Sequence, residues 1–122
     1  MTAITLPWAV LLGDNARHGL MNGRILLTSK YRTALRAAST LAAAQWKAAP
    51  LKGPVALTVT LYEPDKRRRD VLNYGKIIGD ALSMIVILDD SQIDHATMIR
   101  GGIDRYNPRA VIEISPLSAE AA

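Results

Sequence analysis

Residues 55–62 alternate without a break. Val55, Leu57, Val59 and Leu61 fall on one side, and Ala56, Thr58, Thr60 and Tyr62 on the other. Successive side chains of an extended backbone point to opposite faces, so this segment predicts a strand whose apolar face must be covered by another layer. The sequence also supplies the cover. Tyr31, Leu35, Ala38, Ala42 and Trp46 recur at helical spacing and predict a long helix from an N-cap at Thr28 or Ser29 to Ala49, stopped by Pro50. A second helix is predicted from Asp70, a residue suited to N-capping, to about Met84. Shorter strands are expected at 3–8, 24–27, 93–99 and 109–115, with a loop at 13–23 and a turn at 101–107. Strands and helices mix without a strict βαβ repeat. The expectation is one α+β domain over residues 1–122, with a mixed β-sheet and two main helices.

Composition supports a real core and narrows the chemistry. Of 122 residues, 49% are hydrophobic and 21% charged, enough apolar surface to fold. The absence of Cys excludes disulfides and thiolate metal sites, leaving oxygen or imidazole ligands and making a hard cation the natural candidate. The net charge is +4, and four of the 15 basic residues are consecutive, Lys66, Arg67, Arg68 and Arg69. Without them the rest of the chain is neutral, so the charge excess is assigned to this loop. If all four neutralise phosphates of a polyanion, log affinity should fall with log salt at a slope of about −3 to −4 per subunit. No basic residue precedes Arg17, and no apolar run approaches the ~20 residues of a membrane span, so a cytoplasmic protein is expected. Low complexity is confined to the alanine-rich helix and the tail 118–122.

Chemistry concentrates between Asp65 and Gln92. On a helical wheel Asp70, Asn73, Lys76 and Asp80 share one arc, opposite Val71, Tyr74, Ile78, Ala81, Leu82 and Ile85. Leu72 breaks the pattern, lying about 140° from the apolar centre and close to Lys76. A carboxylate at position 72 would join Asp70 and the Asp89-Asp90 turn in holding a divalent cation against a phosphate, with Lys76 facing the phosphate. His18 and His95 lack a third ligand at fixed spacing and are read as ordinary loop and strand side chains. Six aromatic residues, none of them Phe, are too few for a single-strand stacking platform, so backbone and shape recognition fit better.

The segment Ile4-Thr5-Leu6-Pro7-Trp8, the basic run into Asp70, then Asn73, Lys76, Asp80-Ala81-Leu82 and Leu88-Asp89-Asp90-Ser91-Gln92 together resemble the RusA family of Holliday junction resolvases, commonly phage- or prophage-encoded. The resemblance implies a homodimer that binds four-way DNA junctions and nicks them in pairs with Mg2+, in DNA recombination or repair. Residue by residue, it implies catalytic roles for Asp70, Asp90 and Lys76, and metal binding by Asp70 and Asp90. DNA contacts are implied for Lys66, Arg67, Arg68, Arg69, Asn73 and Lys76. The pattern is Asp-x-Asp-Asn-x-x-Lys followed by Asp-Asp, and its middle Asp falls on Leu72. The family's Pro-Pro after the first strand is replaced by Ala9-Val10. Two functional expectations follow: a magnesium-dependent endonuclease with Glu63 or Asp89 completing the ligand set, or a junction-binding protein whose cleavage is weakened or lost. A non-enzymatic interaction module is a remote third.

Overall fold

The computed structural model describes residues 2–117; Met1 and the tail 118–122 lie outside the described residues. Strand β1 (Thr2–Pro7) pairs antiparallel with β6 (Arg109–Pro116), which pairs antiparallel with β4 (Val55–Glu63). Strand β5 (Ile93–Ile103) lies parallel to β4, giving a mixed four-stranded sheet in the order β1-β6-β4-β5. The inward set of β4 is the predicted one, with Val55, Leu57, Val59 and Leu61 all buried. Ile4, Leu6, Ala110, Ile112 and Ile114 continue this face across β1 and β6.

Helix α1 (Ser29–Gln45) and helix α2 (Gly75–Leu82) complete the core, confirming an α+β fold with two main helices. Thr28 caps α1 by accepting a hydrogen bond from Tyr31 N. Tyr31, Ala38 and Ala42 form its buried stripe, and two alanines there bring the helix axis close to its neighbours. The helix stops at Gln45 rather than Ala49, because Trp46 turns extended and donates its indole N–H to Ala49 O, closing the chain before Pro50. Gln45 reaches the outer rim of the sheet: its amide donates to Thr5 O and accepts from Thr5 N, both at 2.8 Å.

Three further expectations are corrected. The predicted loop 13–23 contains a 3-10 turn, Asp14–Ala16, and a strand β2 (His18–Met21) that pairs with β3 (Arg24–Leu27) in a separate hairpin. Its tip, Asn22-Gly23, takes left-handed φ values of 52° and 76°, the pairing that a two-residue hairpin turn demands. The predicted helix 70–84 divides into a 3-10 turn, Val71–Tyr74, and the shorter α2, which ends before Met84 enters left-handed φ. The expected turn at 101–107 begins later, since residues through Ile103 remain in β5. Gly101 allows that extension beside a register shift, for a Cβ there would come within 2.6 Å of Thr60.

The alanine stripe is directly testable. Ala38→Leu should destabilise the fold by about 1–3 kcal/mol through overpacking, while Ala43→Leu on the exposed side should change stability by less than about 0.5 kcal/mol, read from urea unfolding midpoints.

Candidate nucleic-acid interface

The inward register of β4 ends on a carboxylate. Glu63 follows Val55, Leu57, Val59 and Leu61 on the core side and is only 4% exposed. A buried carboxylate needs counter-charges, and two guanidinium groups provide them. Arg100 Nε lies 2.7 Å from Glu63 Oε1, and Arg69 Nη1 lies 3.3 Å from Oε2. Arg69 also pairs with Asp65 at 2.9 Å and packs over the Trp8 ring, 5.3 Å from its centroid. Arg100 further donates to Arg69 O.

These contacts fold the basic loop into the rim of a cleft of about 620 Å3, lined by residues of both the loop and β5. Lys66, Arg67 and Arg68 remain exposed there, whereas the Arg69 side chain is only 14% exposed. The four consecutive cations therefore divide into three that face solvent and one that is structural. Asp65 is held below the ordinary carboxylate range, first by the Arg67 backbone N–H and further by Arg69.

The second half of the site joins α2 to the turn before β5. Asp89 and Gln92 form a capping box around the 3-10 turn Asp90–Gln92. The Gln92 amide accepts from Leu88 N and Asp89 N and donates to Leu51 O and Gly53 O. Asp90 is thereby set opposite α2, where Lys76 Nζ lies 2.8 Å from Asp90 Oδ2 and 3.1 Å from Asp80 Oδ1. The Asp90 hydrogen bond, with smaller help from Asp80, raises the Lys76 ammonium above its ordinary value and keeps it charged. Asp80 is fixed in turn by Tyr31 OH, which donates at 2.6 Å. Burial, then Asp80, pushes the Tyr31 phenol well above its ordinary range.

The predicted residues are thus placed unequally. Lys76 and Asp90 meet directly. Asp70 instead caps the 3-10 turn, its Oδ1 accepting from Leu72 N at 3.1 Å. Asn73 lies against Gly13, where any side chain would overlap its amide. Leu72 is 69% exposed and lines a groove of about 340 Å3 with Lys76, Asp90, Ile93 and Met98, beside Lys76 as the wheel indicated. Glu63 is engaged by its two arginines, and Asp89 by its cap. His18 and His95 lie exposed on β2 and β5.

Among the described residues no three carboxylate or imidazole groups converge on one point. Asp70 has one oxygen capping a turn, Asp90 faces an ammonium and position 72 is apolar, so the protein itself offers a hard cation at most the two carboxylates, each already engaged. The contacts of Arg100 with Glu63 and of Tyr31 with Asp80 were not read from the sequence. Their partners lie 37 and 49 positions apart, beyond the reach of local patterning. The inward parity of Glu63 was the available signal for the first.

The exposed cations Lys66, Arg67 and Arg68 on a rim anchored by Arg69 describe a surface for a phosphate backbone, the class of nucleic-acid-processing proteins. The family model described as Endodeoxyribonuclease RusA matches residues 7–115, most of the chain, and the chain belongs to that family. Its members are resolvase-like nucleases that bind branched DNA junctions, depend in general on a divalent metal and are typically phage-associated. Comparison with curated proteins gives no match. No described helix is long and apolar enough to cross a membrane.

Tyr31 gives a pH test. Its folded value lies above the unfolded 10.0, so its contribution to stability is complete below that pH and declines as pH rises above it. Tyr31→Phe should cost about 1 kcal/mol near neutrality and show a shallower alkaline decline, measured by urea midpoints between about pH 8 and 11.

Proposed function

We propose that the chain acts as a single RusA-like unit over residues 1–122, pairs as a homodimer in the cytoplasm, and binds four-way DNA junctions with little or no cleavage. The observation that carries this reading is Leu72, an exposed apolar side chain beside Lys76 and Asp90 where the family pattern has a carboxylate. Lys66, Arg67 and Arg68 contact successive phosphates at the cleft rim. Arg69 holds the loop against Glu63. Asn73, in the 3-10 turn, and Lys76, on α2, extend the contact. A two-fold homodimer suits a junction that is itself two-fold, since it presents two equivalent surfaces to opposed strands.

Asp70 and Asp90 are the carboxylates left from the family set, and with only two Mg2+ would rely on waters and DNA phosphates to complete its shell. Losing the third removes a negative charge facing the DNA, which favours binding even as it weakens nicking. A second reading, a Mg2+-dependent endonuclease with reduced rate, is supported by family membership and by the pairing of Lys76 with Asp90. In that reading Lys76 stabilises charge on the phosphate.

One experiment separates them. A synthetic four-way junction is incubated with the native protein and with Leu72→Asp, with and without Mg2+. Both proteins should bind the junction in preference to linear duplex, and the variant should make symmetric Mg2+-dependent nicks at least about tenfold faster. Equal nicking by the two would overturn the binding-only reading, and no preference for the junction would overturn both.

The division of labour within the loop predicts a second contrast. Arg68→Ala should weaken junction and duplex binding alike and reduce the log–log salt slope by about 1 per subunit with stability unchanged. Arg69→Ala should destabilise the fold by about 1–3 kcal/mol, seen in thermal unfolding, because it leaves one oxygen of buried Glu63 without its partner while Arg100 keeps the other.

A further inference from the structure

The β2–β3 hairpin forms a sheet apart from the main one, and two strands alone are marginal in water. Its root is firmly seated: Thr28 Oγ1 donates to Ala16 O at 2.8 Å and Thr28 N to Arg17 O at 2.9 Å. The 3-10 turn Asp14–Ala16 below it packs against the turn Val71–Tyr74 and α2, the elements that carry Leu72 and Lys76. Four residues per strand, at about 3.3 Å each, carry the tip roughly 13 Å outward. Leu20 and Ile25 are direct cross-strand partners on one face near that tip, 77% and 74% exposed.

Charge indicates what meets this pair. No carboxylate occurs between Asp14 and Glu63, while the same stretch holds seven cations. Arg24, on the hairpin, and Lys30, Arg32 and Arg36, on α1, are exposed and make no ion pair among the described residues. The positive field is therefore not confined to the loop 66–69. Two copies of this surface would repel each other, and phosphates alone give Leu20 and Ile25 nothing to bury against. A branched duplex offers both groups, phosphates around a centre where base faces can be opened by an apolar wedge.

Resting on the branched-DNA reading above, we infer that the β2–β3 hairpin is a second DNA-contacting element, with the Leu20–Ile25 pair inserting against base faces at the branch point and Arg24 holding flanking phosphate. The test uses a four-way junction and a linear duplex, each with 2-aminopurine at the central position, and compares the native protein with the double substitution Leu20→Ser and Ile25→Ser. Binding of the native protein to the junction should raise the fluorescence as the base unstacks. The variant should lose most of that rise and about tenfold in junction affinity, with duplex affinity within about twofold of native. Both side chains are exposed, so thermal midpoints should agree.

An undiminished rise in the variant, or no rise when the native protein binds the junction, would overturn the inference while leaving junction binding intact. A variant that sediments as a smaller species but keeps the rise would reassign the hairpin to contact between copies. A native protein without preference for the junction would overturn the functional reading and the inference with it.

Discussion

A carboxylate placed inside a hydrophobic layer is the constraint around which this molecule is organised. Strand β4 delivers Glu63 to the core side as the last member of its inward set, and the ion must be neutralised there. Arg69 arrives from the loop and Arg100 from β5. The loop that would otherwise be a flexible basic tract is thus tied to the sheet at its final residue. Its three outer cations are presented from a fixed base, which reduces the ordering cost when a polyanion binds.

The other polar chain runs through the opposite half of the site. Tyr31 on α1, Asp80 and Lys76 on α2 and Asp90 in the turn before β5 form a continuous set of hydrogen bonds and ion pairs. Each link crosses between elements or spans one helical turn, so the spacing of the two helices and the placement of the acidic turn are mutually dependent. Lys76 is the shared member, and its ammonium is positioned before any ligand arrives. Gln92 braces the same turn from behind by closing four backbone groups of two loops.

Legibility in the sequence follows the range of the interactions. Strand β4 was readable because period-two alternation is local, and α1 because its buried stripe repeats every turn. Asp70 was correctly read as a cap. The tighter 3-10 turn that its capping starts was not, since that turn shortens the regular helix. The hairpin at 18–27 was half read: Asn22-Gly23 is a strong turn signal, yet the Gly and Asn residues around it also describe a loop. Lys76 and Asp90 were each given a catalytic role by resemblance, whereas their mutual contact, set by the Asp89–Gln92 capping box, was not read. Leu72 was legible as an anomaly because a helical wheel exposes any apolar residue on a polar arc. The four cations looked equivalent in sequence and are not, because only tertiary contacts reveal which one is buried.

The two rims of the main sheet are finished differently. At β1 the side-chain amide of Gln45 occupies the donor and acceptor of Thr5 as a neighbouring strand would, whereas β5, eleven residues long, forms the opposite edge. Head-to-tail stacking of sheets, which needs two receptive rims, is obstructed at the first step. Any strand-to-strand growth across β5 must join like to like and terminate after a single addition, which guards an exposed ladder against filament formation.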